Sequence, residues 1–371
     1  MLVAVQSIQP SSVQYERLST SFSIVIDALR IWASLSVLAS HIQFGWFGKY
    51  ECRLFMNGHD AVIVFFVLSG FVIAYSQAKN HRDFRSFVAA RLLRLHSTVI
   101  PALLITLILS VATSFANPEF WGEHARGHQA LSYFACLLFV QDIWFRNMVP
   151  SFNGPMWSLG YEFFYYAIFA TVLLKQSWTR WVSAIALALM AGPGIVLLFP
   201  IWLFGVASYR LPKICMLAST LIFMISLLSY VTIASNGFEH PSQPGTPPLL
   251  YANAFVSDWL KGGLVAVMVY SLRTILDFEV HARACQWMRR IGDLTFPIYV
   301  VHLPILALFG AFAKKHPGSN EADSPGLLLV ALLAITVVSV ALEASRSQVN
   351  AMMLRFVDVA LNRKNVSVTS S

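Results

Sequence analysis

The chain has 371 residues, of which 57% are hydrophobic and only 12% are charged, with a formal net charge of +8. Soluble domains carry about 25% charged residues, so this composition excludes an ordinary soluble fold and indicates a polytopic membrane protein. Most Lys and Arg residues lie in short loops between apolar runs, a distribution that sets membrane orientation and argues against a nucleic-acid partner.

Apolar runs of about 20 residues predict an all-α fold with about ten transmembrane helices in one bundle. The long run 179–209 is interrupted by Gly192-Pro193-Gly194, which predicts two short helices around a tight turn. The run 130–145 is shorter and ends near polar residues, so we expect a re-entrant or interfacial segment there. The other predicted spans are 22–46, 60–77, 97–116, 157–175, 214–234, 254–272, 295–313 and 326–343.

Basic residues between the spans predict the orientation. Loop 78–96 contains five Lys and Arg residues against a single acidic one, so we expect it to be cytoplasmic. The polar loop 235–257 contains no Lys or Arg, which suits the outer face. The N-terminal segment 1–21, which lacks a cleavable signal, and the tail 346–371 are then both cytoplasmic. Between them we expect a transmembrane domain over 22–345.

The first span carries three polar side chains on one face. The eleven-residue step from Arg30 to His41 closes three helical turns with about 20° left over, and Asp27 lies one turn before Arg30. Ionisable groups at membrane depth are costly and usually mark a working site. Histidine exchanges protons and arginine binds anions, so we expect Arg30 and His41 to converge on one solvated tunnel. The structural alternative pairs Asp27 with Arg30 and bonds His41 to a neighbouring helix.

Two further patterns lie in the next part of the chain. Arg91 and Arg94 are one turn apart before the third span and are suited to the phosphates of a nucleotide-bearing donor such as coenzyme A. The alternative is an ordinary positive-inside signal. In the second span, Ser69 and Gly70 predict close helix packing rather than chemistry.

The later spans also contain buried polar groups. Ser158 and Glu162 are one helical turn apart among aromatic residues, and the alternative to a catalytic Glu162 is a structural carboxylate paired with an arginine. Tyr299 and His302 share a face in a span that contains two prolines, where freed backbone carbonyls favour a polar environment. For His302, structural packing is the alternative to catalysis.

The order of these motifs is more specific than any one of them. Arg30-x10-His41 is followed by FFVLSGF, by the arginine pair, by WSLGYE and by FPIYVVH. From residue 22 to residue 343, the chain resembles the membrane-bound acyltransferase-3 family. The resemblance implies O-acyl transfer from cytoplasmic acyl-CoA, most often acetyl-CoA, to a hydroxyl of a carbohydrate such as exopolysaccharide, lipopolysaccharide or lipo-oligosaccharide. It also implies a bacterial inner-membrane enzyme with no permanently bound cofactor.

Carried over residue by residue, the resemblance makes Arg30 and His41 the essential catalytic pair. Glu162 and His302 match later motifs and are further catalytic candidates. Arg91 and Arg94 are the candidates for donor binding, and the supporting residues are Asp27, Ser158 and Tyr299. The four cysteines lack metal-type spacing, so we predict no metal site. One departure lies at Glu343: many relatives have Glu-x-Pro near the end of the last span, whereas Glu343 is followed by ASRSQ, which contains no proline.

The sequence leaves open two alternatives to a carbohydrate O-acyltransferase. A proton-coupled transporter or a flippase for a lipid-linked glycan would also use buried His, Asp and Glu residues. Transporters of that kind are built from paired halves with matching interrupted helices, and we find only one interrupted segment. Among enzymes, the acceptor could instead be a macrolide or a lipid, since nothing in the sequence identifies the hydroxyl.

Overall fold

The computed structural model describes residues 17–48, 57–175, 178–235, 245–314 and 324–368, with side chains as far as residue 355. Residues 1–16 of the predicted N-terminal segment and part of the loop 235–257 lie outside the described residues. The helices are α1 (Thr20–Ile42), α2 (Gly58–Asn80), α3 (Phe84–Ala116), α4 (Pro118–His124), α5 (Gln129–Leu137), α6 (Trp157–Leu174), α7 (Thr179–Ala191), α8 (Pro193–Arg210), α9 (Met216–Ser235), α10 (Phe255–Ile275), α11 (Ala282–Asp293), α12 (Thr295–Ala313) and α13 (Pro325–Val368).

The predicted all-α membrane bundle is confirmed. Among the described residues, nine helical segments are long and apolar enough to cross a membrane, and α7 is a shorter apolar helix of 13 residues. With α7 included, the number agrees with the ten spans expected from hydropathy. The chain is therefore a membrane protein.

Two helices extend beyond the limits predicted from hydropathy. The third begins at Phe84, inside the predicted loop 78–96, because the Asp83 side chain accepts a hydrogen bond from the Ser86 backbone N–H at 3.2 Å and caps it. The last helix continues through the predicted boundary at residue 345. Hydropathy detects only the apolar part of a helix, whereas capping and helix propensity extend it into charged sequence.

The segment 130–145 does not form a spanning helix. Its helical part, α5, has nine residues and is about 14 Å long, less than half of the hydrocarbon thickness. The chain that follows is tied to the α7–α8 turn, where the Trp144 N–H donates to the Ala191 carbonyl at 3.0 Å. Gly192 has φ +85°, and a Cβ there would lie 2.6 Å from the Trp144 Cα. The tight turn predicted at this glycine is confirmed.

The centre of the bundle is α2, which packs against α1, α8 and α10. Its contact with α8 is backbone against backbone: a Cβ on Gly70 would lie 2.0 Å from the Trp202 carbonyl oxygen, and one on Gly205 would lie 1.9 Å from that of Val67. Small residues allow this approach in membranes. The packing role predicted for Ser69-Gly70 is therefore confirmed, and Trp202 is placed beside Ser69.

Candidate active site

A cavity of about 480 Å³ lies among α1, α2, α3, α6, α11 and α12. Seven of the nine predicted site residues line it. Asp27 and Arg30 belong to α1, and Arg91 and Arg94 belong to α3. Ser158 and Glu162 belong to α6, and Tyr299 belongs to α12. Motifs that are far apart in sequence therefore meet in one place.

The wall of the cavity is predominantly basic at one end. Lys79 near the end of α2, Arg91 and Arg94 on the first turns of α3, and Arg289 on α11 line the part between the predicted cytoplasmic loops. Together with Arg30 they outnumber the three carboxylates of the wall, which belong to Asp27, Glu162 and Asp293. Lys79 and Arg289 were not among the site residues predicted from the sequence, because basic residues next to apolar spans also serve as orientation signals.

Arg30 is held by two partners and faces the cavity. One guanidinium nitrogen, Nη1, lies 3.3 Å from Asp27 Oδ1, and the other, Nη2, donates to Thr295 Oγ1 on α12 at 3.3 Å. The side chains of Arg30 and Asp27 are 20% and 17% exposed. The Asp27–Arg30 pair of the structural alternative is therefore present, and it orients the guanidinium in the cavity wall without enclosing it.

Glu162 lies at the centre of a hydroxyl network. Its Oε1 accepts a hydrogen bond from Ser69 Oγ at 2.8 Å and another from the Tyr166 hydroxyl. The indole N–H of Trp202 donates to Ser69 Oγ at 3.2 Å, which links the network to the glycine crossing of α2 and α8. Among the described residues, hydroxyl groups rather than an arginine are the direct partners of this carboxylate.

Tyr299 is the lining residue of the cavity that lies furthest along α12. A carbonyl oxygen only accepts, so the Tyr299 hydroxyl donates to Pro155 O at 2.8 Å, and Ser158 Oγ donates to the tyrosine oxygen at 2.7 Å. On its other side the Tyr299 ring lies 6.2 Å from the His302 ring, measured between centroids. The tyrosine is thus the link between the cavity and the histidines.

His41 and His302 contact each other beyond this tyrosine. Their ring centroids are 5.0 Å apart, and His302 Nε2 lies 3.3 Å from His41 Nδ1. Neither histidine is among the residues that line the cavity. The structure therefore places Arg30 in the cavity wall and His41 outside its lining, with Tyr299 as the lining residue whose ring neighbours His302. A single tunnel shared by Arg30 and His41 stays a prediction.

A family profile described as an acyltransferase domain matches residues 24–344. The chain belongs to the acyltransferase-3 family. The match includes every helix that contributes to the cavity and to the histidine pair. The family resemblance read from the motifs is confirmed.

Three relatives of this acyltransferase-3 chain are about a quarter identical to it over the aligned segments. Peptidoglycan O-acetyltransferase OatA of Listeria monocytogenes is 26% identical over 333 residues, which cover 79% of this chain and 50% of OatA. Acyltransferase MdmB of Streptomyces mycarofaciens is 25% identical over 367 residues, which cover 85% of this chain and 87% of MdmB. An O-acetyl transferase of Shigella phage Sf6 is 26% identical over 234 residues, which cover 57% of this chain and 69% of the phage protein. The chain thus spans about half the length of OatA, and no solved structure matches it.

This acyltransferase-3 chain also has a buried charge cluster that sequence analysis missed. At the start of α2 and α10, Lys261 Nζ lies 2.9 Å from both carboxylate oxygens of Asp60, and His59 Nε2 lies 3.1 Å from Asp258 Oδ2. The His59 ring stacks on Trp157 at the start of α6, with centroids 6.1 Å apart. Through this stacking the cluster contacts the first residue of the helix that carries Ser158 and Glu162. The feature of the sequence that could have predicted this cluster is the presence of charged residues at the starts of two apolar spans.

Proposed function

We propose that this acyltransferase-3 protein transfers an acetyl group from cytoplasmic acetyl-CoA to a hydroxyl of a cell-surface or secreted carbohydrate. The observation that carries the proposal is the cavity, which has a cationic end between the predicted cytoplasmic loops and a deep end next to two histidines. In this proposal the protein lies in the bacterial inner membrane with both termini in the cytoplasm.

The cationic end suits the phosphates of coenzyme A. Arginine forms charge-assisted hydrogen bonds with phosphate oxygens, and Arg91, Arg94, Lys79 and Arg289 line this end of the cavity. Arg30 and His41 are separated by about 16 Å along α1. That spacing fits a donor whose phosphates are held at one end while an extended pantetheine arm delivers the thioester to the other. Displacement of the Tyr299 side chain would open this path.

In the transfer step His41 acts as general base. It removes the proton of the acceptor hydroxyl while that oxygen attacks the thioester carbonyl and forms a tetrahedral oxyanion. Tyr299, which lies beside His302, stabilises the oxyanion by donating a hydrogen bond. The intermediate then expels the thiolate, which takes the proton from His41, so the products are the acetyl ester and free CoA. An acyl-histidine intermediate is the other scheme consistent with these residues.

The carbohydrate acceptor is supported by the relatives. One relative is named a peptidoglycan O-acetyltransferase, and a second, in Bacillus subtilis, is named as such putatively. MdmB, which the chain covers over most of its length, is named only an acyltransferase. The name of MdmB states no acceptor, so the macrolide or lipid acceptor considered from the sequence stays the second candidate.

The test uses membranes that contain the protein, radiolabelled acetyl-CoA and surface glycan from the host. We expect label to become covalently fixed on the glycan, and His41→Asn to reduce the rate at least about 100-fold because a general base is lost. Protein abundance should be unchanged. The matched control is His128→Asn at an exposed histidine. Vectorial movement of label without covalent transfer would support a transporter instead, and full activity of His41→Asn would remove this residue from the mechanism.

A further inference from the structure

The hydrogen-bond distances around His41 and His302 indicate which nitrogen of each ring carries the proton. Both imidazoles lie beside the backbone carbonyl one turn earlier on their own helix. His302 Nδ1 is 3.0 Å from Ile298 O, and His41 Nδ1 is 2.7 Å from Val37 O. The second nitrogen of His302, Nε2, points at His41 Nδ1 from 3.3 Å. These distances assign the tautomer of each ring.

A carbonyl oxygen accepts hydrogen bonds and cannot donate them. The nitrogen that faces each carbonyl must therefore carry the ring proton, which places a proton on Nδ1 of both His302 and His41. Neutral His302 then has its lone pair on Nε2, directed at the Nδ1 proton of His41. The opposite assignment, with His302 donating to His41, would set two lone pairs against the carbonyls of Ile298 and Val37.

This arrangement leaves the Nε2 lone pair of His41 as the available base. The Nδ1 proton of His41 is shared by Val37 O and by His302 Nε2, in the way that a second group orients the base of a catalytic triad. When His41 accepts a proton, both acceptors stabilise the resulting imidazolium. A carboxylate would do this more strongly, but a neutral lone pair is cheaper to bury in a membrane.

Exposure separates the roles of the two rings. His302 is only 1% exposed and its Nδ1 proton is directed at Ile298 O, so it has no route for passing a proton onward. His41 is partly exposed at the end of α1, beside Phe44, whose own side chain is 53% exposed. Only His41 is therefore placed to touch an acceptor hydroxyl.

From this geometry we infer that His302 is a positioning residue. It acts through His41, by accepting the Nδ1 hydrogen bond that fixes the His41 tautomer and stabilises its protonated form. The inference rests on the proposed function, in which His41 is the general base. It replaces the catalytic role expected for His302 from sequence with an acceptor role.

The experiment compares three variants in the membrane acetyl-transfer assay. Glutamine offers an amide oxygen near the position of Nε2 but cannot relay a proton, whereas leucine offers neither. We expect His302→Leu to lower kcat about 100-fold, and His302→Gln to retain roughly one-tenth or more of it. The KM for acetyl-CoA should stay within about twofold in both variants, since His302 does not line the donor cavity. His41→Gln, the same substitution at the base, should be inactive.

Each outcome bears on a distinct claim. If His302→Gln is as inactive as His302→Leu while both accumulate and melt like the wild type, a proton passes through His302 and the inference is overturned. Wild-type activity of His302→Leu also overturns it. If His302→Leu does not accumulate, His302→Met takes its place as a folded variant with a poor acceptor. Failure of the proposed function is recognised separately, because the wild-type protein would then transfer no acetyl group or His41→Gln would be fully active.

Discussion

At the scale of single residues, the first span shows what helical periodicity can and cannot decide. The eleven-residue spacing correctly placed Arg30 and His41 on one face, since both contact α12: the first bonds Thr295 and the second approaches His302. Periodicity could not show that Arg30 lines the cavity while His41 contacts His302 outside that lining. Those neighbours belong to other helices, and no spacing within α1 can report them.

The arginine pair gives a prediction at this scale. Arg91→Ala and Arg94→Ala should each raise the KM for acetyl-CoA about 10-fold or more, because each removes a charge-assisted hydrogen bond to phosphate. Arg85→Ala is the matched control, since Arg85 is exposed on the same helix and does not line the cavity. Steady-state kinetics in membranes measure the effect. Equal KM values for all four proteins would show that the pair only orients the chain.

A buried carboxyl group outside the spans gives a pH-dependent prediction. Asp142, in the segment after α5, is 1% exposed, and burial raises its pKa well above its usual range, opposed only in part by Arg126. A carboxyl group whose pKa is higher in the folded protein than in the unfolded chain lowers the free energy of unfolding as the pH rises above the unfolded-state pKa. Asp142→Asn should therefore melt higher than the wild type at pH 8, by about 2 °C or more. At pH 4 the difference should become small.

Thermal unfolding of purified protein in detergent measures this effect. The control is Glu279→Gln, because Glu279 is exposed and its substitution should leave the pH dependence unchanged. A lower melting temperature for Asp142→Asn at pH 8 would mean that the carboxylate is ionised and has a stabilising partner.

At the scale of helices, the crossing of α2 and α8 positions the site. Gly70 and Gly205 bring the two backbones together, and the same contact places the Trp202 indole on Ser69, which in turn bonds Glu162. The sequence predicted a packing role for Ser69-Gly70 but did not name the partner helix. A glycine reports that something approaches closely, and the identity of the partner depends on the whole packing arrangement.

We expect Gly70→Ala to be strongly destabilising. The added Cβ would lie 2.0 Å from a backbone oxygen, so the helices must separate, and overpacking of this kind costs about 1–3 kcal/mol. Gly263→Ala is the control, because the nearest atom to its Cβ is the ring edge of Phe204 at 3.9 Å. Thermal stability in detergent and acetyl transfer are the measurements. A Gly70→Ala protein that melts and transfers like Gly263→Ala would show that the two helices are not in close contact.

At the scale of the whole molecule, the cationic end of the cavity and the histidine pair lie toward opposite ends of the helix bundle. Arg91 and Arg94 are near the start of α3, after the predicted cytoplasmic loop, while His41 is at the end of α1. A donor bound on one side and an acceptor reached from the other would allow transfer across the bilayer. The proposed orientation decides which side is which.

Cysteine accessibility tests that orientation. Cys215 is exposed between α8 and α9. With the other three cysteines replaced by serine, a membrane-impermeant maleimide should label Cys215 in broken cells and leave it unlabelled in intact spheroplasts. Labelling in intact spheroplasts would invert the topology and place the arginine cluster outside, where acetyl-CoA is absent.

The membrane class, the approximate positions of the spans and the tight turn at Gly192 could all be predicted from the sequence. These follow from hydropathy and local periodicity, which depend only on neighbours along the chain. Only the packing of the helices shows that His41 lies outside the lining of the cavity and beside His302, and that Lys79 and Arg289 line the cavity with the arginine pair. Such contacts join residues that are far apart in sequence, and they are set by how whole helices pack.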